Sequence, residues 1–406
     1  MINLIYKAFP YGNAETFASY ELQYAKQIFK DDLRIISLYS GTIDNNINKE
    51  RIGTDVINIR LGIFDYLLAF LSCVSLDGLK EIKEVHDRKC KDKIVKCLWR
   101  IIYYRAYGYA LRGAMNRLKL TEEEVFICYW MNECAYAATF LKKWYPNIKV
   151  YSRGHGFDVY EERCFLPFRK MLFNKLDSVY LVNNAEREYL INSYGTKLDT
   201  RKIKVSHLGI EIPDHFTTSA KRDKFIIASC SSVIQLKRLD LLIEAMSTIL
   251  DFDFTWIHIG DGILLNEMKE LAKEKLIHEN QHYEFLGQLT LADVHKAYRE
   301  REISLFVNCS DTEGIPVSIM EAMSYGVPVV ARDIGGISEI VDNSCGLIVG
   351  ETDIINNLAR AIRYIHSIDE CKYIDMRTNA HNKIKKEFNA ETQYNSLFNE
   401  IYHYGK

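Results

Sequence analysis

Glu313 and Glu321 stand eight residues apart in the stretch Leu305-Phe-Val-Asn-Cys-Ser-Asp-Thr-Glu-Gly-Ile-Pro-Val-Ser-Ile-Met-Glu-Ala-Met-Ser-Tyr-Gly-Val-Pro-Val-Val330. The pattern predicts a buried strand ending near Asn308, a polar loop, and a helix that starts at Pro316 and ends at Gly326. The segment Gly314, Ile315, Pro316, Val317, Ser318 then presents backbone N–H groups at the positive end of a helix dipole, which suits a phosphate or a sugar hydroxyl. A carboxylate accepts from two vicinal hydroxyls at once, so Glu321 suits a ribose and Glu313 a hexose. Taken alone, two glutamates near a helix start serve equally well as caps and dipole compensation. His155 directly follows an apolar run, and Gly154 and Gly156 on either side would let backbone approach a ligand closely. A lone histidine is as often a core residue.

Those residues need elements to place them. Short β-branched or aromatic runs alternate with helical patterns along nearly the whole chain, which predicts a parallel α/β architecture. In the first half the strands are expected near Ile2–Tyr6, Leu33–Leu38, Val56–Leu61, Val125–Tyr129, Ile148–Ser152, Ser178–Val182 and Lys202–Ser206. A second series runs Phe225–Ser229, Phe254–Ile259, His282–Leu286, Ser304–Asn308, Val327–Ala331 and Gly346–Val349. Turn-forming residues at 207–214 and 217–222 place the domain connection there. Two Rossmann-like domains are expected, 1–207 and 208–385, with 386–406 a helix crossing back to the first.

The chain has 406 residues with 52 Lys+Arg against 54 Asp+Glu, and that balance excludes a surface built throughout for nucleic acid. The apolar run 66–74 is about half of the roughly 18 residues needed to span a bilayer. The first nine residues read as a strand rather than a secretion signal, so a cytoplasmic location is expected. Ten cysteines occur without a Cys-x-x-Cys pair, which argues for buried reduced thiols over a zinc or redox site. Residues 83–119 carry eleven Lys or Arg against three acids, with Trp99, Tyr103, Tyr104, Tyr107 and Tyr109 interleaved. This stretch reads either as a peripheral contact to anionic membrane or lipid-linked phosphate, or as a solvated helix whose aromatics pack inward. Gly260-Asp-Gly262 lacks the third glycine of a dinucleotide fingerprint, since Leu265 stands in its place. Asp251-Phe-Asp253 precedes a strand, on the wrong edge of the sheet for a ligand. His278 and His282 have metal spacing but fall in an expected loop, so no metal site is assigned.

Glu313-Gly-Ile-Pro-Val-Ser-Ile-Met-Glu321 resembles the Glu-x7-Glu signature of retaining glycosyltransferases of family 4, which have the GT-B fold of two Rossmann-like domains facing across a cleft. Phe9-Pro-Tyr-Gly-Asn-Ala-Glu-Thr-Phe17 resembles the first-strand loop of bacterial exopolysaccharide and lipopolysaccharide members. Ser152-Arg-Gly-His-Gly-Phe-Asp-Val-Tyr160 is similar to their histidine loop, and Cys230 to Ala245 to the lysine segment that opens the second domain. Ile259-Gly-Asp-Gly262, Phe285-Leu-Gly-Gln288 and Gly335-Gly-Ile-Ser-Glu339 complete the series, over residues 4 to 345.

The resemblance implies that Lys237 holds a nucleotide diphosphate without a metal, with Gly287 and the 314–318 segment also on the donor. Ser232 stands where the family often has an arginine, and Arg238 is the candidate replacement. His155 and Glu313 would contact the donor sugar and Glu321 the ribose, while Asp158 orients its loop and Arg153, Gly12 and Asn13 lie on acceptor-side loops. Gly12 and Asn13 read equally as a turn before a helix begun by Glu15 and Thr16. The implied function is a retaining transferase that moves sugar from a nucleotide-diphosphate donor to a surface-polysaccharide acceptor, expected to be lipid-linked. Two alternatives stand beside it: a nucleotide-sugar 2-epimerase, and a non-catalytic glycan- or nucleotide-binding subunit.

Overall fold

The computed structural model describes residues 1–11, 15, 18–39, 41, 56–195, 198–214, 216 and 224–405. The chain divides into two compact units, residues 1–207 with 391–406, and residues 208–390. Gly12 and Asn13 lie outside the described residues, as do 217–222 of the expected connection.

In the first unit the described residues form a parallel sheet of seven strands: β1 (Ile2–Tyr6), β2 (Leu33–Ser37), β3 (Val56–Asn58), β4 (Val125–Cys128), β5 (Lys149–Gly154), β6 (Ser178–Leu181) and β7 (Ile203–Val205), in the order β3-β2-β1-β4-β5-β6-β7. Val-Phe-Ile-Cys of β4 is buried at every position, as expected of a strand covered on both faces. The order in which strands are added reverses at β1, which pairs in parallel with both β2 and β4 (Ile2 opposite Leu33 and Val125). Ligands of such sheets bind outside the carboxyl ends of the strands at that switch point. The C-terminal helix Ala390–Gly405 packs on this unit, with Phe398 edge-on to Phe29 at 5.3 Å and Tyr394 near Tyr24 at 5.7 Å.

The second unit repeats the plan with six strands: β8 (Phe225–Cys230), β9 (Phe254–Ile259), β10 (Gln281–Gly287), β11 (Leu305–Asn308), β12 (Val329–Arg332) and β13 (Gly346–Val349), in the order β10-β9-β8-β11-β12-β13. Its switch point lies between β8 and β11. Ile210, before the described part of this sheet, exchanges backbone hydrogen bonds with Phe388 and Ala390 at 2.9 Å each.

The basic stretch 83–119 is mostly one helix, Ile94–Arg117. Tyr104, Arg105 and Tyr107 are buried in it, and Tyr103 and Tyr109 pack against the core, so most aromatics turn inward and Trp99 remains exposed. Arg105 donates to the Ser72 and Ser75 hydroxyls at 2.9 and 3.3 Å and lies over the Phe168 ring. No cysteine is in a disulfide; seven are buried, and Cys371 is exposed. Among the described residues no helix is long and apolar enough to cross a membrane.

Candidate active site

At the β8–β11 switch point two loops meet. The loop after β8 ends in the single turn Gln235–Lys237, and Arg238 follows with a left-handed backbone, φ 47°. The loop after β11 carries Asp311 and Glu313. They are tied by the Asp311 N–H donating to the Leu236 carbonyl at 2.8 Å and by Lys237 Nζ on Glu313 Oε1 at 2.7 Å. Asn308 Nδ2, at the end of β11, reaches the same carboxylate oxygen at 3.4 Å.

The helix that follows is Val317–Ser324, with Pro316 as its extended N-cap rather than its first helical residue, which corrects the expected start by one position. Its ψ of 107° shows why: the chain has not yet turned helical at the proline. The N–H groups of Val317 and Ser318 have no acceptor inside the helix, those of Ile319 and Met320 donate to the Pro316 carbonyl at 3.1 and 3.4 Å, and Pro316 itself contributes none. Ile315 and Pro316 are buried and anchor the loop, while Val317 and Ser318 are half-exposed. At the other end Gly326 is left-handed, φ 70°, which stops the helix where the sequence pattern placed its end. Gly335 comes against the same loop from behind: with φ 56° and an added Cβ only 2.2 Å from the Glu313 carbonyl oxygen, only glycine fits. The Gly336 N–H donates to the Gly314 carbonyl at 2.8 Å and locks that approach.

Glu321 is buried one turn into the helix, and burial pushes its carboxyl up to about 7. Cys230 at the end of β8 feels the charges of both Glu321 and Lys237, so the three share one neighbourhood; burial first, then Glu321, pushes its thiol up to about 12, which rules it out as a nucleophile. Arg238 is engaged by both loops, with Nη2 on Asp240 Oδ2 at 2.9 Å on its own side and Nη1 on Asp311 Oδ1 at 3.4 Å on the loop after β11. Ser232 is exposed on the β8 loop, and Gly287 closes β10, its carbonyl accepting from the Gly260 N–H at 2.8 Å.

In the first unit, the residues at the carboxyl ends of β1, β4 and β5 form a second cluster. Asp158 accepts from the His155 N–H at 2.7 Å and from the Met131 N–H, and so orients the histidine loop. Burial pushes its carboxyl up to about 7. The His155 imidazole stacks on Tyr129 at 4.8 Å and lies 4.7 Å from Trp130. Neither ring nitrogen has a hydrogen-bond partner among the described residues. Burial, and then the nearby Arg153, holds the ring well below the usual histidine range, so it is neutral at physiological pH.

Two expectations change here, and one carboxylate takes a part the sequence did not show. Arg153 is a strand residue of β5 instead of a loop residue; fully buried, it pairs with Glu21 at 3.5 Å and donates to the Ser206 carbonyl at 2.8 Å. The gaps at Gly154 and Gly156 are used by the protein's own packing, since added Cβ atoms would meet Leu181 and Arg163 at 2.7 Å. Glu15 lies before the helix whose described part begins at Ala18, and its carboxylate turns back to accept from the Ala8 N–H at 2.7 Å, the Phe9 N–H and Trp130 Nε1. The sequence offered Glu15 only as a helix opener and did not single out Trp130. Their signal was position alone: they follow the two strands that flank the switch point.

Residues 224–367 match the model of the family Glycosyl transferases group 1. The chain is 27% identical over 190 residues to the O-antigen biosynthesis glycosyltransferase WbnH of Escherichia coli, covering 47% of this chain and 51% of that protein. It is 28% identical over 208 residues to the amylovoran biosynthesis glycosyltransferase AmsK of Erwinia amylovora, covering 48% and 49%. The chain thus spans about half the length of the curated relatives it matches. Among solved structures, Anabaena Alr3699/HepE in complex with UDP and glucose superposes with a TM-score of 0.70 at 15% identity over 98% of each chain. That likeness shows the GT-B fold.

Proposed function

We propose that this chain, whose residues 224–367 are a Glycosyl transferases group 1 domain, is a retaining glycosyltransferase of family 4. It moves a hexosyl group from a nucleoside-diphosphate donor to a surface-polysaccharide acceptor, lipid-linked and on the cytoplasmic face of a membrane. The observation that carries the reading is the Lys237–Glu313 contact in front of the first turn of helix Val317–Ser324. An ammonium and a row of amide N–H groups converge there, while a carboxylate beside them can accept sugar hydroxyls.

The reaction follows from those charges. The acceptor hydroxyl attacks the anomeric carbon on the face from which the diphosphate departs; the carbon–phosphate oxygen bond breaks, the new glycosidic bond forms, and the leaving phosphate oxygen takes the hydroxyl proton. Negative charge grows on that oxygen as the bond breaks, so Lys237 and the N–H groups stabilise the transition state more than the bound donor. Glu313 holds the Lys237 ammonium in place and contacts the donor sugar. Glu321 takes the ribose hydroxyls, and His155, held neutral, contacts the sugar as donor or acceptor of a hydrogen bond. Arg238, already paired with Asp240 and Asp311, shapes the loop and adds a distant positive charge. The charge on the diphosphate is met by the chain itself, so no cation is required.

The relatives' names support the transferase reading, and WbnH and AmsK are glycosyltransferases of O-antigen and amylovoran synthesis. Neither the 2-epimerase nor the non-catalytic alternative gains support from them. The test is a panel of UDP-, GDP- and ADP-sugars scored by protection against thermal unfolding, where a donor at 100 times its Kd stabilises by about 2.7 kcal/mol. The protecting donor is then followed by NMR with acceptor present and EDTA added. Retention of the anomeric configuration with undiminished turnover is expected; an inverted product, or turnover lost to EDTA and restored by a divalent cation, would overturn the mechanism.

A further inference from the structure

The helix Ile63–Ser72 lies on the first unit with its apolar side turned outward. Ile63 and Phe64 are 81% and 76% exposed, and Leu67, Leu68, Phe70 and Leu71 are exposed with them. At the helical period these six fall on one broad stripe, and Ala69 on the opposite side is buried. The orientation is not an accident of one loose helix. Tyr66 stacks on Trp99 at 5.6 Å, and Ser72 accepts from the buried Arg105, so the neighbouring helix Ile94–Arg117 holds it from below.

The stripe continues beyond its own helix. Val74 is 77% exposed in the link to the helix Leu76–Glu84, whose Leu76 and Leu79 are exposed in turn. Val95 and Trp99 extend it on the first turns of the long helix. Exposed lysines alternate with these residues: Lys80 and Lys83 share the outer face with Leu76 and Leu79, and Lys91, Lys93 and Lys96 surround Val95. A contiguous apolar patch of this extent marks an interaction site. A second protein would ordinarily meet aromatic and arginine anchors with few lysines in such a patch. Large aliphatic and aromatic side chains rimmed by lysine instead match the layered chemistry of a lipid surface, with acyl chains inside and anionic headgroups outside.

We infer that helix Ile63–Ser72, with the flanking Leu76 and Val95 and the lysine rim, is a face that docks in plane on an anionic lipid bilayer. It moves the centre of the expected membrane contact from 83–119, whose tyrosines turn mostly inward, to the apolar helix before it, and keeps Trp99, Val95 and the lysines of that stretch at its border. The inference does not rest on the transferase reading, since it uses no residue of the candidate active site.

The test is flotation of the full chain with vesicles of phosphatidylcholine alone and with about 30% phosphatidylglycerol, at low and high salt. Binding to the anionic vesicles is expected to exceed that to neutral ones by about tenfold and to weaken with salt. The double variant Phe64→Asp/Leu68→Asp should lose about tenfold or more on both vesicle types, while Lys80→Glu/Lys93→Glu should lose binding only on the anionic ones. Unchanged binding in the double aspartate variant overturns the inference. So does a fall of its thermal midpoint by several degrees, which would show the stripe to be covered by the protein itself. A wild-type dimer that ignores vesicles and dissociates in the same variant would assign the face to a second copy of the chain and also overturn it.

Discussion

In the proposed reaction Lys237 and Glu321 divide the work that a nucleotide sugar asks of one site, and their environments make that division measurable. Lys237 keeps Glu313 as partner at 2.7 Å, so a diphosphate arriving there meets an ammonium already held in one rotamer. Lys237→Met is expected to lower kcat/KM by about 100-fold or more with little change in fold, which steady-state kinetics and circular dichroism check together. Glu321 gives a sharper readout because burial pushes its carboxyl up to about 7. The ionised form is the one that accepts from two ribose hydroxyls, so donor affinity should rise as pH increases through about 7 and fall below it. In Glu321→Gln the affinity should drop by about tenfold to a hundredfold and lose that pH dependence, measured by calorimetry with the donor. A pH profile unchanged by this substitution would remove Glu321 from the ribose.

At the scale of elements, each site depends on a loop pinned by contacts that do no chemistry. Gly335 supports the Glu313–Gly314 peptide from behind, within 2.2 Å of where a Cβ would stand. Gly335→Ala should therefore displace that loop, costing about 1–3 kcal/mol of stability and at least as large a factor in turnover as a direct contact would; thermal melts and kcat/KM check it. Asp158 does the same for the histidine loop through the N–H groups of His155 and Met131. Asp158→Asn replaces one accepting oxygen by an amide donor and leaves a buried N–H unsatisfied, for about 1–3 kcal/mol. Because Asp158 belongs to the first unit and the loops proposed to hold the diphosphate to the second, binding of the nucleoside diphosphate should survive this change while sugar transfer falls.

Across the whole molecule, buried carboxyls set how stability depends on pH. Burial pushes Glu81, Asp158 and Glu321 up to about 7, and burial with the neighbouring Asp158 pushes Glu186 up to about 8. All four bind a proton more tightly folded than unfolded, so their contribution is complete below the ordinary carboxyl range and is lost as pH rises toward 8. His258, held down to about 4 by burial, and His155 act oppositely, but only below the ordinary histidine value of 6.5. The thermal midpoint is therefore expected to fall between about pH 6.5 and 8, and Glu186→Gln should flatten the fall. A midpoint that rises across that range would show that these carboxyls are not protonated in the folded chain.

The chain itself determined the alternation of strands and helices, and the runs Ile2–Tyr6, Phe254–Ile259 and Gly346–Val349 were legible to the residue because short stretches rich in β-branched, aromatic and large apolar residues between polar or turn-forming neighbours mark strands. The placement of Glu313 and Glu321 about a helix start closed by Gly326 was legible as a local pattern, whereas Lys237 stood out only through the resemblance. What only the tertiary structure decided depends on neighbours distant in sequence. The Glu15 carboxylate accepts from Trp130, 115 positions away, and Arg153 changed from loop residue into the buried partner of Glu21. The helix Ile63–Ser72 shows the same limit from the other side. Its apolar pattern was plain, but whether that face meets a core or the surroundings depends on what folds against it, and a periodicity carries no record of that.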